Sequence, residues 1–76
     1  MNQKAQKFML KGDNLMEKGK YEEALHCYEE AVCIESNDPR LWNKKGIILR
    51  SLGRYNEAVE CFNKSLKISP RDQDAS

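Results

Sequence analysis

Cys27, Cys33, Cys61 and His26 are the side chains in this sequence best suited to chemistry, so they are weighed first. Three cysteines cannot all pair, and a small secreted domain is normally built on an even, dense disulfide framework. His26 stands beside Cys27, the one juxtaposition that suggests a metal. Successive residues of a helix, however, point about 100° apart. The sequence holds no CxxC or HxxxH pair to complete a site. The cysteines are expected to be free packing residues of a reducing compartment, with no metal and no cofactor. His26 lies between Glu22 and Glu30 at helical spacing, which reads as a solvated face. The pairs Glu22-Glu23 and Glu29-Glu30 read the same way rather than as acid/base machinery. The four glycines are isolated, so no loop is built to cradle a phosphate. No enzyme is expected.

Charge and length narrow the classes further. A chain of 76 residues supports one small domain. No segment approaches the ~18 apolar residues of a membrane span, and the first ten residues lack the apolar core of a signal peptide. A cytoplasmic location and no membrane partner are expected. The net charge of +1 predicts no nucleic-acid partner. Its distribution is uneven. Residues 21–38 carry six acids and no Lys or Arg, while residues 39–54 carry five bases and no acid.

What positions these residues is a repeat. Shifted by 34 residues the sequence matches itself without a gap: Gly12 with Gly46, Leu15 with Leu49, Gly19 with Gly53, Tyr21 with Tyr55, Ala24 with Ala58, Cys27 with Cys61. Phe8 and Trp42, Tyr28 and Phe62, and Val32 and Leu66 match in kind. A period in the 20–50 range marks a solenoid. The chain divides into an extension of the first helix (1–4), one unit at 5–38, a second at 39–72 and a tail (73–76).

Each unit reads as two helices. Tyr21, Ala24, Leu25, Tyr28, Ala31 and Val32 follow the i, i+3, i+4, i+7 spacing of one helix face, and Tyr55, Ala58, Val59, Phe62 and Leu66 repeat it. Phe8, Gly12 and Leu15, then Trp42, Gly46 and Leu49, share a face in the first helices. Gly19 and Gly53 are placed to end those helices. Asp38-Pro39 is an N-cap followed by proline at the first helical position, and Pro70 closes the last helix. Helices are expected over 2–18, 21–35, 39–52 and 55–69. Gly12 and Gly46 are expected to face Ala24 and Ala58, so that the helices of each hairpin approach closely.

These residues resemble the tetratricopeptide repeat, a 34-residue helix–turn–helix unit. Unit two reads Trp42-x2-Lys45-Gly46-x2-Leu49, then Ala58-x3-Phe62, then Pro70; unit one reads Phe8-x2-Lys11-Gly12-x2-Leu15, then Ala24-x3-Tyr28. Lys11 and Lys45 stand where the pattern has leucine, and Ser36 where unit one would have proline. The resemblance implies an all-α fold, two repeats stacked as a short right-handed α-solenoid, acting as a protein–protein interaction adaptor. It implies a concave groove lined by first helices, here Met9, Asp13, Met16, Arg40, Asn43, Lys44, Ile47 and Arg50, with Gln6, Glu17 and Ser51 on the same inward face. Members that clamp a C-terminal carboxylate place lysine and asparagine where Met9 and Asp13 stand, so that ligand is not expected. The basic Arg40, Lys44 and Arg50 predict an acidic peptide or protein segment, unless the acids of 21–38 neutralise them.

The alternative is a self-association or scaffold module. A solenoid needs a polar cap and about three repeats for stability, and this sequence supplies two and then ends at Ser76. The outer side of the last helix, around Val59, Phe62 and Leu66, would remain apolar. A homodimer or larger homo-oligomer that covers it is expected, with helix exchange between chains as one route.

Overall fold

The computed structural model describes residues 2–69. Among them are four helices and no strand: α1 (Gln3–Glu17), α2 (Tyr21–Ile34), α3 (Pro39–Ser51) and α4 (Tyr55–Ile68). Every boundary falls within one residue of its expected place. Pro70, Asp72 and the tail lie outside the described residues, as does Met1.

Local chemistry sets the ends. Asn2 caps α1 by accepting from the Lys4 amide at 2.8 Å, and Asp38 caps α3 by accepting from the Arg40 amide at 2.9 Å, with Pro39 next in the chain. The first helix of each pair ends on a glycine with positive φ, Gly19 at 78° and Gly53 at 79°. There the Lys20 and Arg54 amides reach back to the Leu15 and Leu49 carbonyls at 2.9 and 2.8 Å. This is the six-to-one closure that satisfies orphan carbonyls, and it needs a residue that enters the left-handed region without strain.

The helices pack in chain order as two hairpins, α1 on α2 and α3 on α4, with α3 also docked on α2. The core runs in two patches. Ala24, Leu25, Tyr28, Ile48, Leu49, Ala58 and Cys61 form one, and Ala5, Ala31, Val32 and Leu41 the other. Leu41 and Ile48 are fully buried; each such aliphatic side chain contributes about 1.5–3 kcal/mol when removed from water.

The glycines differ from expectation in what they face. A Cβ on Gly12 would lie 2.7 Å from the ring of Tyr28, and one on Gly46 would lie 2.7 Å from the ring of Phe62. Ala24 and Ala58 are buried, but the aromatic of the second helix covers the glycine. A ring is flat, so only a bare backbone lets it lie this close.

Candidate peptide-binding face

The first helices α1 and α3 are linked through one core patch and one ion pair. Ala5 meets Leu41 in one core patch, and the Lys44 ammonium reaches Asp13 at 3.0 Å across the gap. Met9 and Met16 are half-buried and pack on the core with one side. Asn43 and Lys44 are half-buried, whereas Arg40, Ile47 and Arg50 are exposed. Gln6, Glu17 and Ser51 are exposed as well.

Arg40, Lys44 and Arg50 of α3 do not form one free cluster. Arg40 folds back onto Asp38, its Nε and Nη2 donating at 3.3 and 3.1 Å to the two carboxylate oxygens. Partial burial pushes the Asp38 carboxyl up, but the hydrogen bonds from Arg40 outweigh it and hold the group below its ordinary range. Lys44 is taken by Asp13. Its neutralising acid therefore comes from α1, and not from the acidic segment 21–38. Arg50 makes no ion pair among the described residues.

Asp13 is also held from below. The Tyr28 hydroxyl, on a side chain with no exposed surface, donates to the carboxylate oxygen that Lys44 contacts. Burial first, then the hydrogen bond and the negative charge of Asp13, push the phenol well above its ordinary pKa. Tyr28, Asp13 and Lys44 thus join α2, α1 and α3. This network was not read from the sequence, although a signal existed: under the 34-residue shift Tyr28 becomes Phe62 and Asp13 becomes Ile47. Hydroxyl and acid disappear together.

The opposite side of the stack is chemically different. A cleft of about 320 Å³ opens there between Glu29, Trp42, Lys45, Glu60 and Cys61. The Lys45 and Lys64 ammonium groups stand 5.5 and 5.9 Å from the Trp42 ring centroid, and Lys45 lies 4.0 Å from Glu29. Lys45 can therefore replace leucine in the repeat pattern: its stem covers apolar surface while its charge has an aromatic face and an acid. The Trp42 indole donates to the Ser36 carbonyl at 2.8 Å, at the position where unit one lacks its proline. Burial pushes the Cys61 thiol up, which leaves it a poor nucleophile. Among the described residues no group of three or more His, Cys, Asp or Glu could hold a metal ion. No helix among them is long and apolar enough to cross a membrane.

On the far side of α4, Tyr55, Val59 and Leu66 are exposed. Phe62, expected among them, is half-buried because its ring lies on Gly46.

Comparison with known proteins agrees with this geometry. No curated protein matches the chain. A solved structure, "MamA RS-1 ArsTM double mutant", superimposes with a TM-score of 0.87 at 38% identity, over 92% of this chain. The chain spans 39% of the length of that protein. The tetratricopeptide repeat family matches over residues 14–76, and the chain belongs to that family.

Proposed function

We propose that the face made by α1 and α3 holds a protein segment, and that it selects an acidic one. Tetratricopeptide repeats are protein–protein interaction modules, and this chain is such a module. The observation that carries the finer reading is the pair Ile47 and Arg50 on α3. Ile47 is a large apolar residue left exposed, and Arg50, one turn further on, is exposed and in no ion pair among the described residues. The guanidinium fork matches a carboxylate with two parallel hydrogen bonds. Ile47, with the adaptable thioether of Met16 on α1, offers an apolar seat beside it. Asp13 does not oppose an acidic ligand strongly, because Tyr28 and Lys44 already engage its carboxylate.

The test is fluorescence anisotropy with acidic, neutral and basic peptide libraries. Wild type should favour acidic peptides, and more weakly as salt rises. Arg50→Ala should lose at least tenfold in affinity, given about 1.5–3 kcal/mol for a charged hydrogen bond. Ile47→Ala should lose affinity without changing the charge preference. Equal binding by wild type and Arg50→Ala, or a preference for basic peptides, overturns the reading.

A second reading, self-association, is favoured by one observation: the stripe of Tyr55, Val59 and Leu66 left uncovered on α4 among the described residues.

A further inference from the structure

We infer that the stack has one closed end and one open end, and that the open end, on α4, pairs with α4 of a second copy about a two-fold axis. This rests on the self-association reading and specifies its geometry.

The internal repeat supplies the measurement. Leu25 on α2 is 4% exposed, and its equivalent Val59 on α4 is 53% exposed. Val32 is 7% exposed and its equivalent Leu66 is 38%. The residue types are matched, so the difference is that α3 covers α2 and no described helix covers α4 in the same way. A stripe of this kind on a small protein marks an interaction surface.

The same comparison shows what cannot cover it. α3 docks on the preceding hairpin through Leu41 and Ile48, both fully buried, with Leu52 half-buried beside them. The residues at those three positions of the first unit are Lys7 and Asn14 on α1 and Lys18 just past its end, all exposed. Two ammonium groups and an amide cannot replace three aliphatic side chains against Val59 and Leu66 without a desolvation penalty. The positions through which α3 docks are therefore unsuited to docking in the first unit, where Leu10 is the one large apolar residue of α1 left exposed. Head-to-tail stacking of copies, which would build an open filament, is blocked at that end.

What each copy does offer is α4 itself. Val59 and Leu66 are seven residues apart and share a face. With the two-fold axis perpendicular to α4 the two helices run antiparallel, which sets Val59 of one copy against Leu66 of the other, with the axis passing near Phe62. Glu60 and Lys67 flank the stripe on one side, both exposed and neither in an ion pair among the described residues. The antiparallel crossing opposes Glu60 of each copy to Lys67 of the other. A single helix face is small beside the roughly 1,200–2,000 Å² of a stable interface, so the dimer forms in a concentration-dependent way.

Sedimentation velocity over a wide concentration range tests this. The chain should pass from monomer to dimer and grow no further. Val59→Glu/Leu66→Glu should remain monomeric at every concentration while circular dichroism shows the helices intact. Glu60→Lys should weaken the dimer at least tenfold, and Glu60→Lys/Lys67→Glu should restore it. Lys7→Leu/Asn14→Ile/Lys18→Leu should open the closed end and yield species that grow with concentration. A wild-type monomer throughout overturns self-association altogether. Three results overturn the two-fold α4 contact and leave self-association standing: wild-type species larger than a dimer, a dimer that survives Val59→Glu/Leu66→Glu, or no restoration in the charge swap. A triple variant that stays dimeric overturns the closed end.

Discussion

The Tyr28 hydroxyl donates to the Asp13 carboxylate, and the second repeat fills the same two positions with Phe62 and Ile47. Each repeat holds a self-consistent pair, one polar and one apolar. A buried hydroxyl without an acceptor, or a half-buried acid without a donor, would cost more than either arrangement.

Mixing the pairs should therefore be worse than exchanging them. Tyr28→Phe removes a hydrogen bond to a charged group and should cost about 1.5–3 kcal/mol. Asp13→Ile leaves the Tyr28 hydroxyl buried without its acceptor and should cost about 1–3 kcal/mol. The double variant, which copies the second repeat, should cost less than the sum by at least about 0.5 kcal/mol. Urea denaturation of the four proteins of the cycle measures this, and strict additivity would contradict the coupling.

The two helix glycines should respond unequally to alanine. Alanine favours the helix by about 1 kcal/mol, while forcing a methyl into a filled site costs about 1–3 kcal/mol. Tyr28 is fully buried and tethered to Asp13, so its ring has little freedom to give way. Phe62 is half-buried on a helix with an uncovered side, so its ring can shift. Gly12→Ala should lower the melting temperature clearly, and Gly46→Ala should lower it less.

Ala58 is 2% exposed at the α3–α4 crossing. Ala58→Leu should overpack it and cost about 1–3 kcal/mol. A thermal melt with no loss of stability would contradict the packing.

Asp38 caps α3 and holds Arg40. Asp38→Ala should cost about 0.5–2 kcal/mol near neutral pH. The folded pKa of this carboxyl is lowered, so its contribution is complete above the unfolded value of about 3.9 and fades as pH falls through the folded one. Wild type and Asp38→Ala should therefore converge in stability under acid, as read by urea melts across that range.

The sequence by itself determined the four helices, their order and the family, because those signals are carried by neighbours along the chain. A cap such as Asp38, a terminating glycine such as Gly53 and an apolar stripe such as Tyr21-Ala24-Tyr28 act within a few residues of themselves, and the 34-residue shift shows each of them twice. Only the tertiary structure decided what faces what. It set Tyr28 rather than Ala24 on Gly12, gave Lys44 to Asp13, and turned Arg40 away from Lys44 toward its own cap. It also separated Leu25 from Val59, residues of one type at one repeat position, by burying the first and exposing the second. The physical reason is that burial and pairing depend on distances across helix crossings and on side-chain rotamers. Those are fixed by every contact at once, and no local pattern of residue types records them.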